Sequence, residues 1–208
     1  MQKTIEVVDD FYVDVDRVRE LAISMGDWAN PKQEAGITYD FETYNSFFND
    51  QLVRVMRDLV GAEIHVDPKR MAFGVFGVFG ADSHVDFTTH YDETDWSAIV
   101  YLVPDDRCEG GLSFYRHKPS GLFGPPTEEQ ARQIGYDSRD AWLREHYYPD
   151  KMHPERWEET THVAMRYNRL ILLRGSVLFH RASKGFGTTP DSGRLTQRFF
   201  FNDANRRD

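Results

Sequence analysis

His90-Tyr91-Asp92 is the tripeptide of this sequence best suited to chemistry. Alternate residues of an extended segment leave the backbone on one face, so the His90 imidazole and the Asp92 carboxylate stand side by side. One nitrogen and one hard oxygen make half of a first-row transition-metal site. A second histidine from elsewhere completes a facial triad of two His and one carboxylate, a donor set that suits non-haem Fe(II) and leaves positions open. By residue type alone that histidine is His65, His84, His117, His146, His153, His162 or His180. A second constellation is Arg194 and Thr196, two apart in a stretch that reads as a strand. A guanidinium beside a hydroxyl suits a carboxylate, which takes two parallel N–H bonds and one from the hydroxyl. Arg198 lies on the same face by alternation and is the rival anchor.

The surrounding pattern supplies elements to hold these groups. Ser97 to Val103 reads as a buried strand stopped by Pro104; Asp105-Asp106-Arg107 turns, Gly110-Gly111 bends, and Leu112 to Tyr115 begins another strand. Upstream, Thr4 to Val8 reads as a strand, and Asp14 caps a helix through about Ser24 that Gly26 ends. Residues 27–43 have no clear period and read as loop or short strands. Tyr44 to Val60 reads as a helix stopped by Gly61. Met71 to Gly80 is an aromatic, glycine-rich strand whose glycines permit close packing or a bulge, with core packing favoured over the floor of a pocket. Residues 81–89 read as a loop. Downstream, residues 116–168 are the least regular: Pro119 to Pro126 is loop, Thr127 opens one helix, and Ser138 opens another to about His146. Such an insertion is either a lid or a buttress over one sheet face. Leu170 to Leu173, Val177 to His180 and Arg194 to Phe201 read as closing strands.

Short strands with helices gathered at the N-terminus and in one insertion predict an α+β domain built on a double-stranded β-helix, or jelly roll. At 208 residues the chain suits one domain. Residues 1–70 form an N-terminal helical support, 71–115 and 169–202 the jelly-roll core, and 116–168 the insertion. A net charge of −9 argues against a nucleic-acid surface. Cys108 is the sole cysteine, which excludes an intrachain disulfide and a cysteine zinc cage. The first residues lack the apolar run of a signal peptide, and no 18-residue apolar stretch predicts a membrane span. The expectation is a cytoplasmic protein, in a compartment that keeps iron ferrous.

The order His-x-Asp, apolar strand with Tyr101-Leu102, then Gly110-Gly111-Leu112-Ser113-Phe114 resembles the prolyl 4-hydroxylase-like branch of the Fe(II)/2-oxoglutarate dioxygenases. The resemblance covers about Met71 to Asn202. Val7-Val8-Asp9-Asp10-Phe11-Tyr12, Tyr167-Asn168-Arg169 and Gly193-Arg194-Leu195-Thr196 also look like a small bacterial dioxygenase-like family. What the resemblance implies is specific. His180, behind an apolar strand and ahead of the Arg194 segment, is the distal metal ligand beside His90 and Asp92, with His84 its closest rival. Arg194 and Thr196, with Thr where the family has Ser, hold the distal carboxylate of 2-oxoglutarate, and Tyr101 adds a hydroxyl near it. Fe(II), 2-oxoglutarate and dioxygen are the implied cofactors, and the implied reaction hydroxylates a C–H bond of a small molecule, an amino acid or a peptide residue. Trp96, Glu93, Arg116 and Trp157 are candidate substrate contacts because they flank the motif or lie in the insertion. Glu93 and Asp95 beside Trp96 suggest an acidic mouth that would attract an amine. Two other readings remain at this stage: a metal-binding jelly roll without turnover, and a zinc hydrolase using the same triad.

Overall fold

The computed structural model describes residues 3–24, 28–29, 40–83 and 88–206. In chain order its elements are β1 (Ile5–Val8), α1 (Val15–Ser24), β2 (Trp28–Ala29), β3 (Phe41–Thr43), α2 (Asp50–Val60), β4 (Ile64–His65), β5 (Phe73–Phe79), β6 (Trp96–Tyr101) and β7 (Gly111–His117). There follow α3 (Glu128–Gln133), α4 (Arg139–Trp142), a π-helical stretch (Leu143–Tyr147), α5 (Tyr148–Asp150), β8 (Trp157–Ala164), β9 (Leu170–Leu173), β10 (Phe179–Ala182) and β11 (Arg194–Asp203). A large sheet runs β1-β9-β6-β11-β5-β3-β2, with β4 joining the end of β11, and a small sheet runs β10-β7-β8. Every strand pairing is antiparallel. One apolar core draws on both sheets and on α1 and α2, and the architecture is the expected jelly roll.

β11 decides which side of the large sheet meets what, because its residues alternate between two environments. Phe199 and Phe201 set their rings edge-on to Phe73 at 5.1 and 5.8 Å. Gln197 donates to the Phe47 carbonyl at 2.8 Å and accepts from the Tyr12 hydroxyl at 2.6 Å. That side carries the helical layer, and each fully buried Phe adds roughly 1.5–3 kcal/mol. Arg194, Thr196 and Arg198 turn the other way; Arg194 reaches the carbonyls of Gly111 and Ser183, where the small sheet begins and ends. The register of β5 on β11 slips between Arg198 and Phe199, at Gly74, which has φ +83° and lies against the Phe47 carbonyl. A Cβ there would stand 2.6 Å from that oxygen, so the glycine of this strand makes a bulge.

Several elements differ from the sequence reading for local reasons. The second helix starts at Asp50 rather than near Tyr44, because the Asn49 side chain accepts from Leu52 N at 2.9 Å and caps it. Asp14 (accepting from Arg17 N at 3.2 Å) and Thr127 (in a capping box with Gln130) open their helices as expected. The strand expected over Val177 to His180 is displaced to β10, since Gly175–Val177 forms a 3₁₀ turn. A strand not expected from the sequence, β8, has in its Thr160-Thr161-His162-Val163 core the β-branched composition of a strand, and it supplies the third strand of the small sheet from within residues 116–168. Likewise, β1 to β4 tie the first 70 residues into the large sheet. Of the expected loops, residues 30–39 and 84–87, and of the helix stops Gly26, lie outside the described residues.

Part of the insertion packs against the small sheet. Trp142, Leu143 and Tyr147 are buried against Tyr115, Trp157 and Phe179 on the outer face of the small sheet. The N-terminal motif around Asp9 and Tyr12 meets the central motif Tyr167-Asn168-Arg169, whose backbone in turn pairs with that of Tyr101: Tyr101 N–H donates to the Arg169 carbonyl at 3.0 Å and Asn168 N–H to the Tyr101 carbonyl at 2.9 Å. Arg169 and Arg166 pair with Asp9 at 2.6 and 2.8 Å, and Asn168, at φ +61°, exchanges side-chain hydrogen bonds with the backbone of Tyr12. Among the described residues, no helix is long and apolar enough to cross a membrane.

Candidate metal centre

His90 and His180 come together through the backbone. Each residue's N–H donates to the other's carbonyl, at 2.9 and 2.8 Å, which brings the two rings to 4.5 Å between centroids. Both imidazoles are oriented by the same local device: Nδ1 of His90 lies 3.0 Å from the Thr88 carbonyl, and Nδ1 of His180 lies 2.9 Å from that of Leu178. A carbonyl only accepts, so Nδ1 carries the proton and Nε2 presents its lone pair inward. Oxygens of Asp92 lie 3.9 Å from Nε2 of His90 and 3.3 Å from Nε2 of His180. One ligand atom from each of the three lies within 4.8 Å of the others, close enough to share one ion.

Asp92 is itself fixed. Its N–H donates to the Gly175 carbonyl at 2.9 Å, and Ser97 Oγ donates to its Oδ2 at 2.5 Å. Gly175 leaves the room for this: a Cβ there would stand 2.3 Å from Asp92 Oδ2 and 2.7 Å from Ser97 Oγ. Burial works to raise the Asp92 pKa, but His180, then His90 and Ser97, more than offset it and hold the carboxyl far below its usual range. Burial, then the neighbouring His180, lowers His90, while for His180 the pull of Asp92 overcomes burial and raises it. The result is a carboxylate and an Nε2 lone pair on His90, ready to ligate, with the His180–Asp92 pair closing the third side. Such hydrogen-bonded partners behind ligands are what tune a metal site.

Further along the large sheet lies Arg194, fully buried. Its guanidinium donates to the carbonyls of Ser183 (3.0 Å) and Gly111 (2.9 Å) and reaches the Tyr101 hydroxyl at 3.5 Å. Its Nε has no partner, and among the described residues no carboxylate pairs with it. Thr196 pairs in register with Tyr101 on one side and Gly77 on the other, and its hydroxyl donates to the Gly77 carbonyl at 3.3 Å. Tyr101 is fully buried, and burial, against the pull of Arg194, raises its pKa, so it keeps its proton. Ser97 and Tyr101 share one face of β6, so the same strand carries the Asp92 partner at one end and the Arg194 partner about 13 Å along. Arg198 differs from Arg194 in that it pairs with the Glu42 carboxylate.

The remaining expected contacts are placed elsewhere. Trp96 is buried, donates through its ring N–H to Asp203 at 2.7 Å, and has the Arg174 guanidinium 4.9 Å over its ring. Glu93 is exposed, and its carbonyl accepts from Arg206 at 2.7 Å. Asp95 accepts from the Asp203 N–H at 3.1 Å and from Arg206 at 3.4 Å, so this acid ties down the end of β11. Arg116 pairs with Glu158 toward the end of β7, its side chain exposed on the opposite face of the small sheet from Tyr115 and Trp157, and Trp157 is buried under the insertion. The structure thus joins His90, Asp92 and His180 into one cluster and Arg194, Thr196 and Tyr101 into another, while the side-chain partners of Trp96, Asp95, Arg116 and Trp157 belong to neither. His117, His146 and His162 bond to Ser120 and Asp150, Tyr136, and Ser113 respectively. His84 lies outside the described residues. Ser97 and Gly175 carry no sequence signal of their role, beyond Ser97 opening the strand that follows the motif.

Among curated proteins none matches this sequence. Solved structures do match over nearly all of it. A non-heme alpha ketoglutarate dependent carbocyclase, SnoK from nogalamycin biosynthesis, is 14% identical with a TM-score of 0.57, covering 98% of this chain and 81% of its own. The epimerase SnoN of the same biosynthesis, likewise described as alpha ketoglutarate dependent, is 15% identical with a TM-score of 0.52, covering 98% and 80%. HygX from Streptomyces hygroscopicus, solved with nickel, 2-oxoglutarate and hygromycin B, is 15% identical with a TM-score of 0.49, covering 98% and 84%. The likenesses to SnoK and SnoN support the fold. Residues 1–201 match the profile of a family described as a family of unknown function (DUF6445), and the chain belongs to that family.

Proposed function

We propose that this chain is an Fe(II)- and 2-oxoglutarate-dependent oxygenase that hydroxylates a C–H bond of a small molecule. The observation that carries the reading is the triad: two imidazoles with Nδ1 tied to carbonyls, and one carboxylate, all aimed at a common point. Such a set leaves coordination positions open on an octahedral metal. The fit to the co-substrate rests on Arg194. A buried guanidinium with an idle Nε and no carboxylate among the described residues is costly unless an anion joins it, and the carboxylate of a small dicarboxylic acid is such an anion. Tyr101 and Thr196 stand beside it to take the remaining oxygen lone pairs.

In this reading His90, Asp92 and His180 hold iron, and Arg194, Thr196 and Tyr101 hold 2-oxoglutarate. Iron and 2-oxoglutarate together supply the activation of dioxygen, one oxygen atom going to the substrate and the other to succinate with release of carbon dioxide. The chain's own part is to orient the donors, keep Asp92 ionised and exclude side reactions. SnoK and SnoN are named as alpha ketoglutarate dependent, which supports the cofactor pair while leaving the reaction outcome to this site. The prolyl 4-hydroxylase-like placement rests on motif order alone. A zinc hydrolase could use the same triad, but has no use for a buried Arg194.

The test is succinate release. Purified protein is incubated with Fe(II), 2-oxoglutarate and ascorbate in air, with pooled small metabolites, free amino acids and short peptides, beside an Asp92→Ala control. Succinate that depends on both the pool and Asp92 is the expected result. Release no greater than that of the Asp92→Ala protein in every pool counts against the proposal.

A further inference from the structure

The small sheet has a second face. His180 and Phe114 pair in register and point into the jelly roll, whereas the neighbouring pair, Arg181 and Ser113, points outward. On that outer face, beyond the insertion, lies a cavity of about 370 Å³ lined by Ser113, Tyr115, Glu159, His162, Arg181 and Ser183. Its size falls within the range of small-molecule sites. None of these side chains belongs to the triad or to the Arg194 cluster.

A strand irregularity makes this cleft. Glu159 and His162 are three apart on β8, and in a regular strand they would point to opposite faces. The pairing of β7 with β8 slips between Phe114 and Tyr115: Phe114 faces Thr161, but Tyr115 faces Glu159. The residue left over, Thr160, donates its hydroxyl to the Phe114 carbonyl at 3.1 Å. The bulge therefore turns both Glu159 and His162 outward, next to Tyr115 and Ser113. Bulges recur beside functional sites because they re-aim side chains in this way.

The groups so gathered are complementary in charge yet not spent on one another. Arg181 donates to the Tyr115 hydroxyl at 2.7 Å, and Tyr115 donates to Glu159 at 3.2 Å. The hydroxyl stands between cation and anion, and among the described residues neither makes an ion pair. Ser113 and Nδ1 of His162 lie 2.8 Å apart, which leaves Nε2 of His162 open. Ser183 accepts from Gly111 N at 2.9 Å and keeps its hydroxyl proton to donate.

We propose that this cleft is a second ligand site, which takes a small zwitterion bearing both a carboxylate and an amine, such as a free α-amino acid. The fork of Arg181 takes the carboxylate through the N–H groups that Tyr115 does not use, with Ser183 donating beside it. Glu159 takes the ammonium. A simple anion is disfavoured by Glu159, and a simple cation by Arg181. This site is independent of the oxygenase reading, since it uses the reverse side of β10.

The experiment is calorimetric titration of the full-length chain in EDTA, without 2-oxoglutarate, with each of the twenty protein amino acids, and with acetate and ethylamine as single-charge controls. Arg181→Lys, Arg181→Met, Glu159→Gln and His180→Ala proteins are titrated in parallel, with circular dichroism to confirm folding. The expected result is saturable binding of at least one amino acid, weakened about tenfold by Glu159→Gln and by Arg181→Met, less by Arg181→Lys, and unchanged by His180→Ala. No amino acid binding at millimolar concentration overturns the proposal. So does binding that survives both charge-removing variants, acetate binding as tightly as the amino acid, or loss of binding only in His180→Ala, which would assign the ligand to the metal centre.

Discussion

His90 and His180 exchange two backbone hydrogen bonds, 2.9 and 2.8 Å long, so one bridge sets the spacing of both imidazoles. The bridge couples the entry loop of β6 to β10, and the Asp92 carboxylate then closes the triangle. Because the backbone rather than ring packing sets the spacing, changing one ring leaves the other in place.

If His90, Asp92 and His180 hold iron as proposed, replacing His180 by Ala removes one of three donors, and the expected outcome is loss of most bound iron and of all substrate-dependent succinate. His162→Ala, whose ring bonds to Ser113 on the outer face, keeps both. Metal content by mass spectrometry, measured on both variants after loading with Fe(II) under anaerobic conditions, checks this. Equal iron in His180→Ala and parent sinks the assignment.

Ser97 and Gly175 act through Asp92. Ser97→Ala removes the 2.5 Å bond to Oδ2, and the expected loss in metal affinity or activity is about 10–100-fold. Gly175→Ala should do at least as much, since its Cβ would lie 2.3 Å from the same oxygen. Competition against a chelator of known affinity measures both; an unchanged affinity in the Ser97 variant shows the hydroxyl to be dispensable.

Arg194→Ala should raise the 2-oxoglutarate requirement by the strength of a charge-assisted hydrogen bond, roughly 1.5–3 kcal/mol or about 10- to 150-fold, while iron content persists. Arg198→Ala leaves Glu42 without its partner and should lower thermal stability instead, with the KM for 2-oxoglutarate little changed. The two variants exchange phenotypes if the wrong arginine has been taken as anchor.

Asp9 makes stability depend on pH. The hydrogen bond from Arg169, then the charges of Arg169 and Arg166, outweigh burial and lower its pKa. A carboxylate whose folded pKa is depressed contributes stability that is present above its unfolded value, about 3.9, and is lost as pH falls through the lower folded value. Asp9→Asn should therefore melt at a lower temperature than the parent at pH 7. The difference should shrink on acidification below about pH 4. Melting curves across that range, with parent and variant falling in parallel, would deny Asp9 this role.

What the sequence by itself determined was whatever depends on near neighbours. The His90–Asp92 face follows from strand alternation; the starts of α1 and α3 follow from Asp14 and Thr127, whose side chains bond to backbone within three residues. The order of motifs pointed to the jelly roll and nominated His180 and Arg194. Tertiary structure decided what rests on contacts between distant segments. Arg194 and Arg198 are equivalent by alternation, and only the arrival of Glu42 from β3 distinguishes them. Asp95 looks like part of an acidic mouth until Asp203 and Arg206 come back to it at the end of β11. Gly175 reads as an ordinary turn residue; its need for no side chain exists only because Asp92 and Ser97 fill the space where a Cβ would go. The outer cleft depends on a one-residue slip between β7 and β8, and register is a property of the pair that neither strand's pattern contains.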